Sequence, residues 1–231
     1  MEFNFPEGEV LLINKPLRWT SFDVVARIRV ILKYKLGIKK IKVGHAGTLD
    51  PLATGLLILC TGKFTKKIDE YQALVKEYTG TITIGATTPS FDLETEITNF
   101  TDYSNITKEM IVETSKLFVG ETQQYPPQFS AIQIDGKRAY ESARQGKTVE
   151  IKPKTINITE FEISGIRLPE IDFRIVCSKG TYIRSIANDI GNKLKCGAYL
   201  SSLCRTKIGD FKLEDSISIE DFEKNIVTNP A

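Results

Sequence analysis

The residues best suited to chemistry lie in one short, glycine-rich stretch, GHAGTLDPLATG, which runs from Gly44 to Gly55. It contains the only histidine of the chain, His45, and one carboxylate, Asp50, which a proline follows directly. A carboxylate with a pKa of about 3.9 is ionised at neutral pH and can act as a nucleophile or base without tuning. What it needs is a fixed position, which glycine and proline provide through unusual or restricted backbone angles. The same residues also suit a structural Asx turn, so the stretch by itself leaves both interpretations open.

Other familiar sites find no support in the sequence. It contains neither GxGxxG nor GxxxxGK followed by Ser or Thr, and a single histidine excludes an HExxH zinc site. The cysteines have no metal-ligand spacing and are predicted to be reduced and mostly buried: Cys60, Cys177, Cys196 and Cys204. We therefore predict no metal and no cofactor.

The basic residues are concentrated in one part of the chain. The net charge of the 231 residues is only +2, but residues 11–67 hold twelve Lys or Arg against two acids, while residues 92–121 hold seven acids against two lysines. Such separation is typical of a face that follows nucleic-acid phosphates, and also of a solvated helix face. No apolar segment approaches the length of a membrane span and the N-terminus does not resemble a secretory signal, so we expect a cytoplasmic protein.

The pattern of apolar residues predicts an α+β fold with a mixed, largely antiparallel sheet. Predicted strands cover residues 10–16, 56–60, 77–88, 155–164, 171–177 and 199–208, with a short strand before an Asp-Gly turn at residues 135–136. Predicted helices cover residues 20–37, 64–75, 107–118 and 181–195, with short ones ending at Gly146 and near the C-terminus. Because no linker is evident, we predict a single domain over residues 1–231.

The stretch GHAGTLDPLATGLL resembles the catalytic motif of the bacterial tRNA pseudouridine synthase B family. Four further segments are similar to that family in the same order: LLINKPLRWTSFDVV, KEYTG, PPQFSAIQIDGKRAYESARQG and SKGTYIRSIANDIG. Together the five motifs span most of residues 10–208, and on them the chain is identified as a member of the family. We expect the type without a C-terminal PUA domain, because the residues after 208 are too few to form one.

The resemblance implies a reaction and a fold. The family converts the position-55 uridine in the T arm of tRNA to pseudouridine without a cofactor: the base is detached, turned and rejoined to the ribose through carbon. The implied structure is the pseudouridine synthase fold, with helices flanking the sheet and a thumb-like, RNA-gripping insertion at about residues 122–152. A stacked uridine cannot be reached in place, so the enzyme must flip it out.

The resemblance assigns catalytic roles to Asp50, Tyr78 and Arg184. Asp50 attacks the ribose C1′ or the uracil ring, or assists an elimination at C2′, and the sequence leaves these routes open. Arg184 supplies a charge that favours and orients the ionised carboxylate. Tyr78 stacks on the flipped uracil, and its hydroxyl moves a proton late in the reaction. Without the resemblance, Tyr78 would be interpreted as a core residue of an alternating strand.

Further positions are implied to bind substrate. His45 occupies the space that the flipped uridine leaves, and Tyr182 and Leu203 line the uracil pocket. Lys15 either supports the turn around Asp50 or contacts a phosphate. The phosphates of the T arm are expected to meet exposed lysines: Lys33, Lys35, Lys39, Lys40 and Lys42.

One departure and two rival functions accompany this interpretation. Family members often carry an Asp in the loop after the Tyr78 strand, where this chain has Pro89, although Asp92 lies nearby. A non-catalytic RNA-binding module or tRNA chaperone would use the same basic face without needing Asp50. An enzyme for another RNA, ribosomal or guide-directed, is a nearer rival. Because no extension for protein partners is evident, we favour a stand-alone, monomeric tRNA enzyme.

Overall fold

The computed structural model describes residues 3–130, 132–134 and 136–226. In chain order its strands and helices are β1 (Val10–Lys15), α1 (Ser21–Leu36), β2 (Val43–His45), β3 (Ala53–Thr61), α2 (Ile68–Ala73), β4 (Lys76–Ile84), α3 (Lys108–Lys116), β5 (Gly120–Gln124), β6 (Gln133–Ile134), β7 (Lys137–Arg138), α4 (Ala139–Arg144), β8 (Lys154–Arg167), β9 (Glu170–Cys177), α5 (Ile183–Leu194), β10 (Ala198–Ile208), β11 (Phe211–Lys212) and α6 (Ile219–Asn225). Two short 3₁₀ helices, Gly62–Lys67 and Leu213–Asp215, precede α2 and α6.

The chain divides into two compact units. The first comprises the residues up to Tyr78 and those from Leu203 onward, and the second comprises Thr79–Ser202. Strands β4 and β10 each begin in one unit and end in the other, so each unit contains part of both strands.

Strand β3 is the centre of the first unit. On one edge it pairs antiparallel with β1. On the other edge it pairs parallel with β10 near its start, where Leu203 lies opposite Ala53 and Arg205 opposite Gly55, and antiparallel with β2 near its end. Leu57 and Leu59 face a cluster that includes residues of α1, while Leu56, Ile58 and Cys60 face a second cluster. Burial on both faces explains why this strand is an uninterrupted apolar run and lacks the usual alternation.

Helix α1 begins and ends where the sequence predicts. The Thr20 side chain accepts a hydrogen bond from the backbone N–H of Asp23, and the Asp23 carboxylate accepts one from the backbone N–H of Thr20. This capping box satisfies N–H groups that the first turn leaves without helical partners. Gly37 ends the helix in the left-handed conformation.

The second unit is built on antiparallel strands. Strand β8 pairs with β5 on one side and β9 on the other, and β9 is followed in the sheet by β4 and β10. The hydroxyl of Thr81 on β4 donates to Asp172 on β9, and the hydroxyl of Thr83 donates to Ser201 on β10. Helices α3 and α5 pack against each other, and α3 also contacts β8.

Most of the predicted elements are confirmed, and the predicted α+β class with a mixed, largely antiparallel sheet is correct. Strands β2, β5 and β11 are not predicted from the sequence, because two to five half-polar residues show no clear period. Helix α5 ends at a left-handed Lys195, two residues before the predicted Gly197. Of the Asp-Gly turn, Asp135 lies outside the described residues. Within the described parts of the chain, no helix is both long and apolar enough to cross a membrane.

The close approach of β10 to β3 can be tested with two glycines. Gly55 and Gly37 both have positive φ, +103° and +67°, but a Cβ atom at Gly55 would overlap the backbone of Arg205, whereas nothing lies within 4 Å of one at Gly37. We expect Gly37→Ala to lower the free energy of unfolding by about 1–2 kcal/mol, through left-handed strain alone. Gly55→Ala should cost at least about 2 kcal/mol more, because the strands must also separate. Urea denaturation measures both, and equal losses would contradict this packing.

Candidate active site

The Asp50 turn, residues 46–53, connects β2 to β3 in the first unit. Two hydrogen bonds connect the turn to Ser21 in the first turn of α1. The backbone N–H of Leu49 donates to the Ser21 hydroxyl at 2.9 Å, and that hydroxyl donates to the Leu49 carbonyl at 3.2 Å. The backbone N–H of Ala53 donates to the Asp50 carbonyl, which closes the turn. The turn is therefore tied to the core on one side while Asp50 itself stays half-buried.

The glycines of the turn act in two different ways. Gly47 and Gly55 have positive φ, +97° and +103°, as the sequence analysis predicts. Gly44 has no such angle and is needed for space, because a Cβ atom there would come within 2.6 Å of the Ile68 side chain. The prediction of unusual backbone angles is thus correct for Gly47 and Gly55 and wrong for Gly44.

Lys15 is entirely buried beneath the turn. It follows Leu11 and Ile13 on the inward face of β1, and its ammonium donates to the carbonyls of Trp19 at 2.6 Å, Pro16 at 3.0 Å and Pro51 at 3.5 Å. Burial lowers the pKa of Lys15 from 10.5 to about 8, against the opposing effect of the nearby Asp50 charge. Of the two roles predicted for Lys15, this geometry favours support of the turn, because an ammonium with no exposed surface cannot reach a phosphate.

A second buried cation, Arg205 of β10, holds the same turn. Only 1% of its surface is exposed, and its guanidinium donates to the Leu56 carbonyl at 2.8 Å and to the Gly47 carbonyl at 3.0 Å. No pattern in the sequence predicts a role for Arg205. The available signal was an arginine two residues after Leu203 in a strand that is otherwise largely apolar or small, although no pattern showed which way it points.

His45 lies half-buried at the end of β2. Its ring meets Phe22 edge to face, with ring centroids 5.3 Å apart, and Phe22 is 63% exposed. Burial, with a smaller contribution from the charge of Arg205, lowers the pKa of His45, so the imidazole is neutral at pH 7. Among the described residues its Nδ1 atom has no hydrogen-bonding partner.

The sheet brings Leu203 and Tyr78 near the Asp50 turn. Leu203 lies opposite Ala53, three residues after Asp50, and the Thr54 hydroxyl donates to its carbonyl. Strand β10 lies between β3 and β4, which places the start of β4, with Tyr78, about 10 Å from β3. Tyr78 is 9% exposed.

Arg184 and Tyr182 lie in the second unit, at the start of α5. Arg184 is 3% exposed and donates to the carbonyls of Ser90 at 3.2 Å and Phe129 at 3.1 Å, and its Nε atom is 3.5 Å from Asp92. Asp92, noted in the sequence only as a neighbour of Pro89, is one of its ion-pair partners. Half-buried Tyr182 is the residue before the helix, where its backbone exchanges two hydrogen bonds with the Gln124 side chain.

Of the five lysines predicted to meet phosphate, all are exposed and four border an open depression of about 580 Å³ in the first unit, whereas Lys35 does not border it. Lys39, Lys40 and Lys42 follow α1, and Lys33 belongs to its last turn. Arg29 also borders the depression, but its guanidinium is engaged by the Val43 carbonyl. In residues 3–130, 132–134 and 136–226, no three His, Cys, Asp or Glu side chains lie close enough together to hold a metal ion.

Comparison with known protein families decides the assignment. Residues 33–183 match the N-terminal domain of TruB family pseudouridylate synthases, and residues 184–229 match the tRNA pseudouridylate synthase B C-terminal domain. The chain belongs to the TruB family of pseudouridylate synthases. The resemblance stated from the five motifs is thereby confirmed, and this TruB family member is an enzyme that isomerises uridine to pseudouridine.

Individual relatives agree along nearly the whole chain. This TruB family member is 58% identical to tRNA pseudouridine synthase B of Phocaeicola vulgatus, over 95% of its own length and 93% of the relative's. It is 58% identical to the enzyme of the same name from Flavobacterium johnsoniae, over 95% of this chain and 96% of the relative. It is 50% identical to that from Chlorobaculum tepidum, over 93% of this chain and 89% of the relative.

Solved structures confirm the pseudouridine synthase fold. A chain in the crystal structure of a Cbf5-Nop10-Gar1 complex superimposes with a TM-score of 0.72 at 28% identity, over 95% of this chain and 54% of that one. A chain in the structure of an H/ACA RNP bound to a substrate RNA containing 2′-deoxyuridine superimposes with a TM-score of 0.68 at 27% identity, over 95% of this chain and 53% of that one. The TruB family chain thus spans about half the length of these two proteins.

The buried ammonium of Lys15 makes stability depend on alkaline pH. Between pH 8 and 10.5 the unfolded chain holds this proton and the folded protein has lost it, so stability must rise with pH across that window. We therefore compare the free energy of unfolding of the wild type with that of Lys15→Met. As the pH rises from 8 to 10.5, the wild-type value should increase by up to roughly 3 kcal/mol relative to that of the variant. Urea titrations of both proteins at each pH measure the difference. Parallel curves would show that the ammonium carries no such penalty.

Proposed function

We propose that this pseudouridine synthase acts on the position-55 uridine in the T arm of tRNA, without a cofactor and as a cytoplasmic monomer. The observation that carries the proposal is the Asp50 turn: one half-buried carboxylate, held by Ser21 and Lys15 in a loop that matches the family's catalytic motif. The relatives named tRNA pseudouridine synthase B, with which the chain aligns almost end to end, support tRNA as the substrate.

Asp50 is the group that begins the reaction. Its carboxylate attacks the ribose C1′ or the uracil ring, or assists an elimination at C2′, and each route requires an ionised oxygen at a fixed point. The hydrogen bonds at Leu49, Pro51 and Ala53 fix the backbone on both sides of that point, so little motion has to be frozen when RNA binds.

Tyr78 and Leu203 receive the flipped uracil. Stacking of the uracil on an aromatic ring stabilises the flipped base by about 1–3 kcal/mol. This offsets much of the free energy that is needed to unstack the base from the RNA loop. Leu203, half-buried opposite Ala53, gives an apolar contact beside the ring, and Tyr182 is assigned to the same pocket by the resemblance alone. His45, neutral and packed edge to face on exposed Phe22, fills the gap left in the RNA.

Arg184 is proposed to pair with the Asp50 carboxylate. Support comes from the family motif and from its setting within the second unit, where Ser90, Phe129 and Asp92 hold the guanidinium in one orientation. A buried guanidinium fixed in this way costs little further ordering when it engages an anion. The insertion at residues 122–152 is proposed to act as the thumb that closes on the RNA.

A guide-directed enzyme is the second candidate, because the two similar solved structures are multi-component assemblies: a Cbf5-Nop10-Gar1 complex and an H/ACA RNP bound to a substrate RNA. Those chains are 28% and 27% identical to this one, against 58% for two relatives named for tRNA. The difference favours tRNA.

Catalysis by Asp50 can be measured as tritium release from C5-labelled uridine in a T-arm stem-loop. We expect Asp50→Asn to lower the rate at least about 1,000-fold while the RNA still binds, because the amide is neither a base nor a nucleophile. Asp69→Asn, which neutralises an exposed carboxylate of the same unit, is the matched control and should release tritium at the wild-type rate. Equal tritium release by Asp50→Asn and wild type would show that the Asp50 carboxylate has only a structural role in the turn. Binding without release by the wild type would indicate an RNA-binding module.

The phosphate contacts of the lysines can be read from the salt dependence of binding. Each phosphate neutralised on an RNA contributes roughly 0.7–0.9 to the slope of log K against log salt. The triple variant Lys39→Gln, Lys40→Gln, Lys42→Gln should therefore lose about 2 from that slope. Its control changes the same net charge elsewhere, at exposed Lys108, Lys116 and Lys224, and should keep the wild-type slope. Equal slopes for all three proteins would place the RNA on another face.

A further inference from the structure

Arg205 joins the two ends of the segment that carries Asp50. Its Nε donates to the carbonyl of Leu56, six residues after Asp50, and its Nη2 to the carbonyl of Gly47, three residues before it. Both bonds start from one planar group, whose donors cannot move independently. The distance between the two carbonyls is therefore fixed by the guanidinium, and with it the opening of the turn.

The backbone around Arg205 is shaped to admit this contact. Gly55 is its partner in the β3–β10 pairing, and its lack of a side chain lets the Arg205 backbone come close. At Gly47, the nearest atom to a Cβ placed on the backbone would be Nη1 of Arg205, 3.5 Å away. The two positive-φ glycines on either side of Asp50 thus both face the same arginine.

Stability by itself does not explain a guanidinium at this position. Arg205 is 1% exposed, and the carbonyl that it contacts belongs to Leu56, whose side chain packs with Ile58 and Ile208 in an apolar cluster. Burying a charged group is costly, and a well-packed apolar side chain often replaces a buried charge with no loss of stability. A cation is useful here because two backbone carbonyls have to be held at a set separation.

Arg205 also links the turn to the strand that meets the base. It lies two residues after Leu203 on β10, and alternate residues of a strand share a face. We propose that Arg205 is a positioning residue for the isomerisation: it fixes the Asp50 turn relative to Leu203 and does not itself touch the RNA. The inference rests on the proposed roles of Asp50 and Leu203.

The first test compares Arg205→Lys with Ile208→Ala. The lysine keeps the charge but cannot bridge two carbonyls with fixed geometry. Ile208→Ala disturbs the same strand and the apolar cluster that includes Ala46 and Leu56, but it removes no hydrogen bond to the turn. At a temperature where both variants remain folded, we expect kcat for tritium release to fall about 10- to 100-fold in Arg205→Lys, with KM for the stem-loop within about threefold of wild type. Ile208→Ala should lower Tm while keeping kcat within about threefold.

Two results would overturn the proposal. If kcat falls in both variants in proportion to Tm, Arg205 is only structural. If Arg205→Lys changes KM and leaves kcat intact, the residue serves RNA binding. Failure of the proposed function is distinguishable from both, because it would appear as full activity in Asp50→Asn.

Chemical rescue provides a second readout that loss of stability would not produce. Arg205→Ala opens a space lined by the carbonyls of Gly47 and Leu56, which millimolar methylguanidinium can enter. We expect methylguanidinium to restore kcat several-fold and methylammonium, of equal charge but without the planar donors, to leave it unchanged. Equal effects of the two cations would show that charge alone matters and would contradict a positioning role.

His45 reports on the same arrangement in solution. As the only histidine of the chain, it gives a single set of imidazole NMR signals, and the charge of Arg205 contributes to lowering its pKa. The pKa of His45 should therefore rise in Arg205→Met and stay near the wild-type value in Arg205→Lys. An unchanged pKa in Arg205→Met would show that the guanidinium does not occupy this place beside the turn, which would overturn the proposal.

Discussion

The candidate active site depends on hydrogen bonds from two buried cations to backbone carbonyls of the Asp50 turn and of strand β3, which follows it. Lys15 holds the Pro51 carbonyl from β1, and Arg205 holds those of Gly47 and Leu56 from β10. Burying either charge would be unfavourable without these acceptors. The folded turn and the buried positions of the two cations therefore stabilise each other. This mutual dependence explains how Asp50 can be held in place while remaining half-buried and accessible to substrate.

Strand β3 makes that arrangement possible. Because both of its faces are buried, it is fixed firmly in the first unit, and the Asp50 turn leads directly into it. Its two neighbours, β1 and β10, are the strands that carry Lys15 and Arg205. One rigid element thus sets the positions of the turn and of both cations. A catalytic group on a short turn backed by a rigid strand needs little reorganisation during the reaction.

The charges are distributed according to what each part has to do. The exposed lysines after α1 remain available to a polyanion, because none of them is needed to hold the fold. The buried cations, by contrast, are fully occupied with backbone carbonyls. Burial lowers the pKa of the only histidine, which favours the uncharged imidazole at neutral pH. Under the proposed function, affinity for RNA and catalysis therefore use different sets of basic residues.

The sequence by itself determined the order and type of the main elements and pointed to Asp50, because those features are local. The apolar run at residues 56–60, the Thr20 cap and Gly37 each act within a few residues, and the motif around Asp50 is contiguous. The family motifs also predict roles for Tyr78, Leu203 and Arg184. The sequence could not show that Lys15 supports the turn, that Gly44 is needed for space, that Asp92 pairs with Arg184, or that Arg205 has any role. Each of these is settled by contacts between residues distant in the chain, such as Lys15 with Pro51 or Arg205 with Gly47. Charged side chains in strands give no periodic signal of where they point, so only the register of β1, β3 and β10 decided which cations are buried beneath the turn.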